Sequence, residues 1–478
     1  MMREVRTQSY PLFCFLIKCK NMALCPFAGL LSSYGFLHAQ SYGIICVLCR
    51  EAYHSMQKAK HPNHAKQSGQ HFLAQIRYNF SRMDWWILLI VGLLSVYSLI
   101  MVYSSTQYLL ENGATVPTPL HYLSRQMFGI GLGLAVSAVA ICLPYRLYIE
   151  PLWLFLVNGL IAFLILLTRF IGVAGGGAKS WLSFMGLNFQ PGELAKIGLI
   201  LLMGILCVKS RREVLLTKER WFANMDYESV ISIGLMLLDL VLIFAQPDMG
   251  MFMIISATLL LVALALIMNS KTQKGVLLAL ALVGVGLITW IYTNADKLAT
   301  SDHYQLRRFG SFVNPFKYAK AAGYQLVNAY IAISRGGLFG RGIGHSLTKQ
   351  EGLPAGHTDY ILAVIGEESG LVGLVVIVLL LSALIFLCFR WAAKSQDTFR
   401  RAVFTGIGCL LLVQSSLNIG GVSGLVPLTG VTLPFVSYGG TSMVLTMMLV
   451  GVLQVMIIEE KRVLEAQVSQ VKENYHGI

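Results

Sequence analysis

The residues of this chain best placed to do chemistry lie in Leu353-Pro354-Ala355-Gly356-His357-Thr358-Asp359-Tyr360, where one acid is delivered to the mouth of an apolar run. The residues that follow, 361–389, are almost continuously apolar apart from Glu367 and Glu368. A carboxylate at such a border meets both lipid head groups and water. Asp359 is therefore the first candidate for chemistry. The segment leading to it, 293–360, carries eight Lys or Arg (Lys297, Arg307, Arg308, Lys317, Lys320, Arg335, Arg341, Lys349) against four acids. That excess suits an anionic ligand, most of all phosphate. A solvated loop is an equal reading, because long loops escape the charge rule for membrane proteins.

Other ionisable residues stand where a bilayer makes them costly, which marks them as functional candidates. Glu193 and Lys196 are three apart at the start of an apolar run, so they share a helix face. They read either as a structural ion pair or as substrate contacts. Asp248, in Gln246-Pro247-Asp248-Met249-Gly250, occupies a tight turn between two apolar runs and reads either as a helix cap or as part of a site.

These residues must be positioned by membrane helices. The chain is 56% hydrophobic and only 13% charged, beyond the range of ordinary soluble domains. Runs long enough to cross a hydrocarbon core recur ten times, near 86–104, 127–143, 151–168, 191–208, 229–246, 250–268, 274–292, 361–389, 402–420 and 440–458. The expected fold is an all-α polytopic membrane protein of about ten helices. Lys and Arg crowd one set of alternate loops, with five in 209–228 and four in 390–401, and thin out in the other, with one in 105–126 and none in 421–439. By the positive-inside rule both termini are cytoplasmic, and 293–360 is a large extracellular loop between helices 7 and 8. The net charge of +14 follows partly from this asymmetry and does not imply nucleic-acid binding.

Residues 83–460 form the membrane domain in this reading, with a cytoplasmic tail at 461–478 and Glu459-Glu460-Lys461-Arg462 as the end of the last helix. Residues 1–82 are a basic extension holding five of nine Cys and five of ten His without a clean span. Met83, directly before Asp84-Trp85-Trp86, reads as an alternative start. Cys46-x-x-Cys49 and His61-x-x-His64 approach zinc spacing, but the His pair is one residue too close. Cys142, Cys207, Cys388 and Cys409 read as packing residues. The Gly-rich 172–181 stretch, with Trp181 as an interface anchor, looks built for close backbone approach. The two prolines of 427–442 imply a re-entrant segment, because broken backbone at membrane depth must border protein or a wet cavity. Gly370, Gly373, Gly406 and Gly408 read as helix-packing positions.

Several ordered motifs, spread from Met83 to Glu460, are jointly specific: Lys179-Ser180-Trp181, Gln190-Pro191-Gly192-Glu193-Leu194-Ala195-Lys196, Gln246-Pro247-Asp248, Phe312-Val313-Asn314-Pro315, Gly323-Tyr324-Gln325, Gly340-Arg341-Gly342, His357-Thr358-Asp359, Gly366-Glu367-Glu368 and Pro434-Phe435-Val436-Ser437-Tyr438-Gly439-Gly440. With them the chain resembles the SEDS family (shape, elongation, division and sporulation), bacterial polytopic glycosyltransferases that polymerise peptidoglycan from lipid-linked precursors. Thr432 before Leu433-Pro434 looks more like the division branch than the elongation branch. The chain departs from the family pattern at Ala355, where an acid is common, at Tyr360 for Phe, and at Gly192 and Thr441 for Ser. Without the acid at 355, any metal or sugar contact relatives make there is in question.

The resemblance implies that Asp359 is a general base taking the proton of the acceptor's 4-hydroxyl while polyprenyl diphosphate leaves with inversion. Arg307, Arg308, Lys317, Arg335 and Arg341 become candidates for neutralising that diphosphate, with a divalent cation, Mg or Mn, as a candidate helper. Glu193, Lys196, Asp248, His357 and Ser437 become candidates for substrate binding. Implied partners are lipid II and the growing glycan strand, a class B penicillin-binding transpeptidase, other divisome membrane proteins and the lipids of the bacterial cytoplasmic membrane. Two rival classes stay open, a flippase for lipid-linked precursors and a silent scaffold. Ionisable groups at the midplane distinguish a flippase, whereas Asp359 and the basic loop lie at one surface.

Overall fold

The computed structural model describes residues 76–476 apart from 109–117, 176–177, 185–186, 218–224, 302–303, 322, 352 and 354. The Cys/His-rich extension, including Cys46, Cys49, His61 and His64, lies outside the described residues apart from 76–82. Among the described residues ten helices are long and apolar enough to span a bilayer, at each place the hydropathy pattern indicates. They are α1 (Trp85–Thr106), α2 (Pro119–Cys142), α3 (Pro151–Ile171), α4 (Pro191–Thr217), α5 (Tyr227–Ala245), α6 (Met249–Leu266), α7 (Ser270–Thr293), α8 (Ile361–Lys394), α9 (Thr398–Ser423) and α10 (Gly440–His476).

Local chemistry sets where these helices begin. Side chains of Asp84, Asp226, Asp248, Asn269 and Asp397 accept from backbone N–H groups of the first turns of α1, α5, α6, α7 and α9. Each cap satisfies one of the donors a helix start leaves without a partner. Pro119 and Pro151 open α2 and α3, where a missing N–H costs nothing. The helices α4, α9 and α10 form the buried centre, whereas α7 buries only Ile291.

Two features depart from the sequence reading. The Gly-rich 172–189 region folds into a small antiparallel sheet, β1 (Val173–Gly175), β2 (Ala178–Phe184) and β3 (Leu187–Phe189), so the fold is not purely helical. The helix α10 does not stop at Glu459 but continues to His476. Glu460 is buried there, receiving Arg400 Nε at 2.6 Å and the Ser395 hydroxyl at 2.7 Å, so the charged run is a joint rather than a terminus.

The helix α8 is broken at Gly370, whose φ of 67° is not helical. Segment 337–342 enters the break. Arg341 N and Gly342 N donate to the Glu367 and Glu368 carbonyls at 2.9 and 3.0 Å, and Leu371 N donates to Gly337 O at 2.9 Å. Backbone groups freed by the break are thereby satisfied inside the protein, as a bilayer requires.

Candidate active site

Asp359 lies in a turn just before α8, with Tyr360 N and Thr358 N both bonded to Ala355 O. Segment 427–439 holds that turn. The Ser437 hydroxyl donates to Thr358 O at 2.8 Å, Tyr438 N donates to His357 O at 2.9 Å, and Asn418 Nδ2 donates to both Asp359 O and Val431 O. The irregular backbone of this segment is in turn met by side chains from the core helices: Ser98 donates to Val436 O at 2.7 Å and Gln414 to Thr432 O at 3.0 Å. Leu433 N donates to the Ser437 hydroxyl at 2.8 Å. The segment expected to be re-entrant is thus irregular, partly buried and braced by the core helices, and it grips the motif that carries the acid.

Two charged side chains close on one glycine. A Cβ placed at Gly430 would lie 3.2 Å from Arg308 Nη1 and 3.5 Å from Asp359 Oδ2. Gly430 also has φ +77°, a conformation L side chains rarely adopt. Arg308 arrives on the short helix Tyr304–Val313 of the long loop, and its Nη1 also donates to Leu428 O at 3.4 Å. Burial pushes the Asp359 carboxyl above the ordinary carboxylate range, and the Arg308 charge offsets only part of that shift.

The other basic candidates do not gather here. Lys317 bonds Asp296 at 2.7 Å and Arg335 forks onto Glu351 at 2.9 and 3.1 Å. Arg307 and Arg341 are exposed, with Arg341 in the segment that fills the α8 break. Glu193 and Lys196 form a buried pair, with Lys196 Nζ at 2.9 Å from both carboxylate oxygens and 3.2 Å from Gln414 Oε1. They face a cavity between α4, α9 and α10 of about 10 Å³, room for about one water. Asp248 caps α6 at Met251 N (3.0 Å) and accepts from Gln190 Nε2 at 2.7 Å. Burial first, then the nearby Glu193 charge, pushes its carboxyl upward. His357 packs with Tyr122 and Tyr438, ring centroids 5.3 and 5.6 Å away, and burial lowers its imidazole to about 4, so it is neutral near pH 7.

Sequence reasoning passed over Gly430, Gln414 and Asn418. The last two lie one turn apart on α9 and join the Glu193–Lys196 pair to the backbone beside Asp359. An amide inside a span was the available signal for both. Among the described residues no three His, Cys, Asp or Glu side chains come together as a metal cage.

Comparison with known proteins gives a consistent picture. Residues 84–462 match the model of the cell cycle protein family of FtsW, RodA and SpoVE. The "Probable peptidoglycan glycosyltransferase FtsW" of Bacillus subtilis (strain 168) is 35% identical over 378 residues, covering 77% of this chain and 89% of that protein. The protein of the same name from Haemophilus influenzae is 33% identical, covering 77% and 86%. Among solved structures, one described as a peptidoglycan synthase complex coordinating polymerization and crosslinking has a chain that aligns with TM-score 0.60 at 23% identity, covering 79% of this chain and 98% of its own length. The rod shape determining protein RodA of Thermus thermophilus aligns with TM-score 0.53 at 23% identity, covering 79% and 97%. These structural likenesses concern the fold.

Proposed function

The chain belongs to the cell cycle protein family of FtsW, RodA and SpoVE, and from that premise we propose that it is a peptidoglycan glycosyltransferase of cell division, polymerising lipid II into glycan strands. The observation that carries the mechanism is the convergence of Asp359 and Arg308 over Gly430. A sugar hydroxyl is a poor nucleophile until its proton is taken, and Asp359 has the raised basicity to take it. The acceptor 4-oxygen then bonds to the donor's anomeric carbon from one face. The bond to the polyprenyl diphosphate breaks on the other, and the electron pair leaves with the diphosphate. Arg308 supplies a fixed positive charge for that leaving group in a partly dry site.

The loop charge asymmetry supports a bacterial cytoplasmic membrane orientation with Asp359 outside and both termini inside. A class B penicillin-binding transpeptidase is the partner this reading expects, with other divisome proteins in the same assembly, since the glycan made here must be cross-linked.

The test is polymerisation of fluorescent lipid II by the purified full chain with its transpeptidase blocked by penicillin, wild type against Asp359→Asn. Glycan ladders lost only in the variant are expected. Ladders of equal strength would remove Asp359 as the base, and ladders from neither folded protein, with the transpeptidase bound, would return the flippase reading.

A further inference from the structure

Inside the bilayer region, away from the site just described, α5 carries an acid that the proposed chemistry does not use. Asp239 is fully buried and neither carboxylate oxygen has a hydrogen-bond partner. Buried polar groups are ordinarily paired, and an intramembrane acid calls for a named partner. On α3, Asn158 is also fully buried; its Nδ2 donates to Leu154 O at 2.8 Å, but its Oδ1 has no partner.

The register of the two helices brings these groups to one level. The helices α3 and α5 pack together and run parallel, since both are antiparallel to the intervening α4. Near their C-terminal ends Gln246 Nε2 donates to Ile165 O at 2.7 Å and to the Thr168 hydroxyl. Seven residues are close to two helical turns, so stepping back seven on each helix keeps both faces in register. From Gln246 that step reaches Asp239; from Ile165 and Thr168 it reaches Asn158 and Ile161. The buried residues follow the same spacing, Ser232, Met236, Asp239 and Ile243 on α5 and Leu154, Asn158, Ile161 and Ile165 on α3. On the third side Gly198 of α4 makes room, because a Cβ there would run into Asn158 Oδ1.

An amide oxygen opposite an ionised carboxylate would set acceptor against acceptor. A single proton removes the conflict, because a carboxylic acid donates through its hydroxyl. No cation competes for the role among the described side chains of the packed helices. Lys196 is held by Glu193 and Gln414, Lys209 by Asp226 and Glu228 at the far end of α5, Arg169 lies at the C-terminal turn of α3, and α6 carries no charged residue. We propose that Asp239 binds a proton within the membrane and donates it in a hydrogen bond to Asn158 Oδ1, forming an acid–amide latch between α5 and α3. The latch fixes the depth of α5, and with it the position of Asp248 against Gln190. It does not depend on the glycosyl-transfer reading.

Infrared difference spectroscopy on the purified full chain reads this directly. Wild type minus Asp239→Asn at pH 7 is expected to show the C=O stretch of a protonated carboxyl group and no carboxylate bands; carboxylate bands would overturn the latch. Asn158→Leu is expected to move the protonated band to higher frequency by removing its hydrogen-bond acceptor. An unmoved band would sink the pairing, and this second spectrum stands alone if Asp239→Asn does not fold. The thermal midpoint is expected to be the same in sodium and in choline. A sodium-dependent rise abolished by Asp239→Asn would mean a metal cation, not a proton, occupies the site.

Discussion

Two acids lie nine residues apart at the start of α8, and each meets a basic side chain from the same long loop. Glu368, inside the helix and 1% exposed, receives Lys349 Nζ at 2.6 Å and the Ser104 hydroxyl at 2.7 Å, while Lys349 also donates to Ser104 O at 3.1 Å. Asp359, in the turn before the helix, shares the space over Gly430 with Arg308, and burial outweighs that charge. The difference lies in saturation. A carboxylate enclosed by a bonded ammonium and a hydroxyl is a joint that pins the loop to α1 and α8. One whose environment leaves it more basic than usual, at the edge of the same joint, is suited to be a reagent in the proposed reaction. The Glu368 contact holds Lys349 against α1 and α8, whereas Arg308 reaches Asp359 from a separate helix of the same loop, Tyr304–Val313.

The largest effects separate these roles. Asp359→Asn is expected to lower polymerisation by about 10²–10⁴-fold, the usual contribution of a general base, with an unchanged thermal midpoint. Lys349→Met leaves Glu368 buried without its partner and is expected to cost about 3–5 kcal/mol of stability, seen in thermal unfolding in detergent, with activity per folded molecule largely kept. If Lys349→Met folds normally and instead abolishes turnover, the division between joint and reagent is wrong. Gly430→Ala comes next: its Cβ meets Arg308 Nη1 at 3.2 Å in a backbone conformation alanine resists. Displacing those groups is expected to lower polymerisation on the order of 10- to 10²-fold. Assaying Gly430→Ala for both thermal midpoint and turnover shows whether the loss belongs to the site or to the fold.

The same contrast explains what the sequence could reveal. Asp359 was legible because it sits at a polar-to-apolar border, a local pattern. The ten spans were legible because hydropathy is local too. Arg308 could not be told from Arg307, Lys317, Arg335 and Arg341, because neighbouring helical residues point about 100° apart and the facing side is set by tertiary contacts. The break at Gly370 was hidden inside an apolar run, where the glycine read as a packing position; what demands it is the entry of 337–342, a long-range partner. Gly406 and Gly408 do behave as packing positions, with Cβ atoms there meeting Ile200 at 2.8 Å and Phe389 at 3.0 Å. The sheet at 173–189 escaped notice because two of its strands have three residues, too short for alternation to show.

The smallest expected effect is the most diagnostic for Asp359. A general base works deprotonated, so under the proposed reaction turnover rises with pH through the Asp359 carboxyl's titration. Because burial raises that titration, the acid limb is expected above the ordinary carboxylate range. Arg308 pulls in the opposite direction, favouring the charged form. Arg308→Gln is therefore expected to move the acid limb to still higher pH, while the plateau loses only what Arg308 contributes to holding the diphosphate. The limb of Lys349→Met is expected to stay where the wild type has it, because Lys349 is bonded to Glu368. A pH–rate profile of wild type, Arg308→Gln and Lys349→Met on fluorescent lipid II measures all three. A limb that moves with Lys349 and not with Arg308 would assign the titrating carboxylate to Glu368, and the roles of the two acids would be reversed.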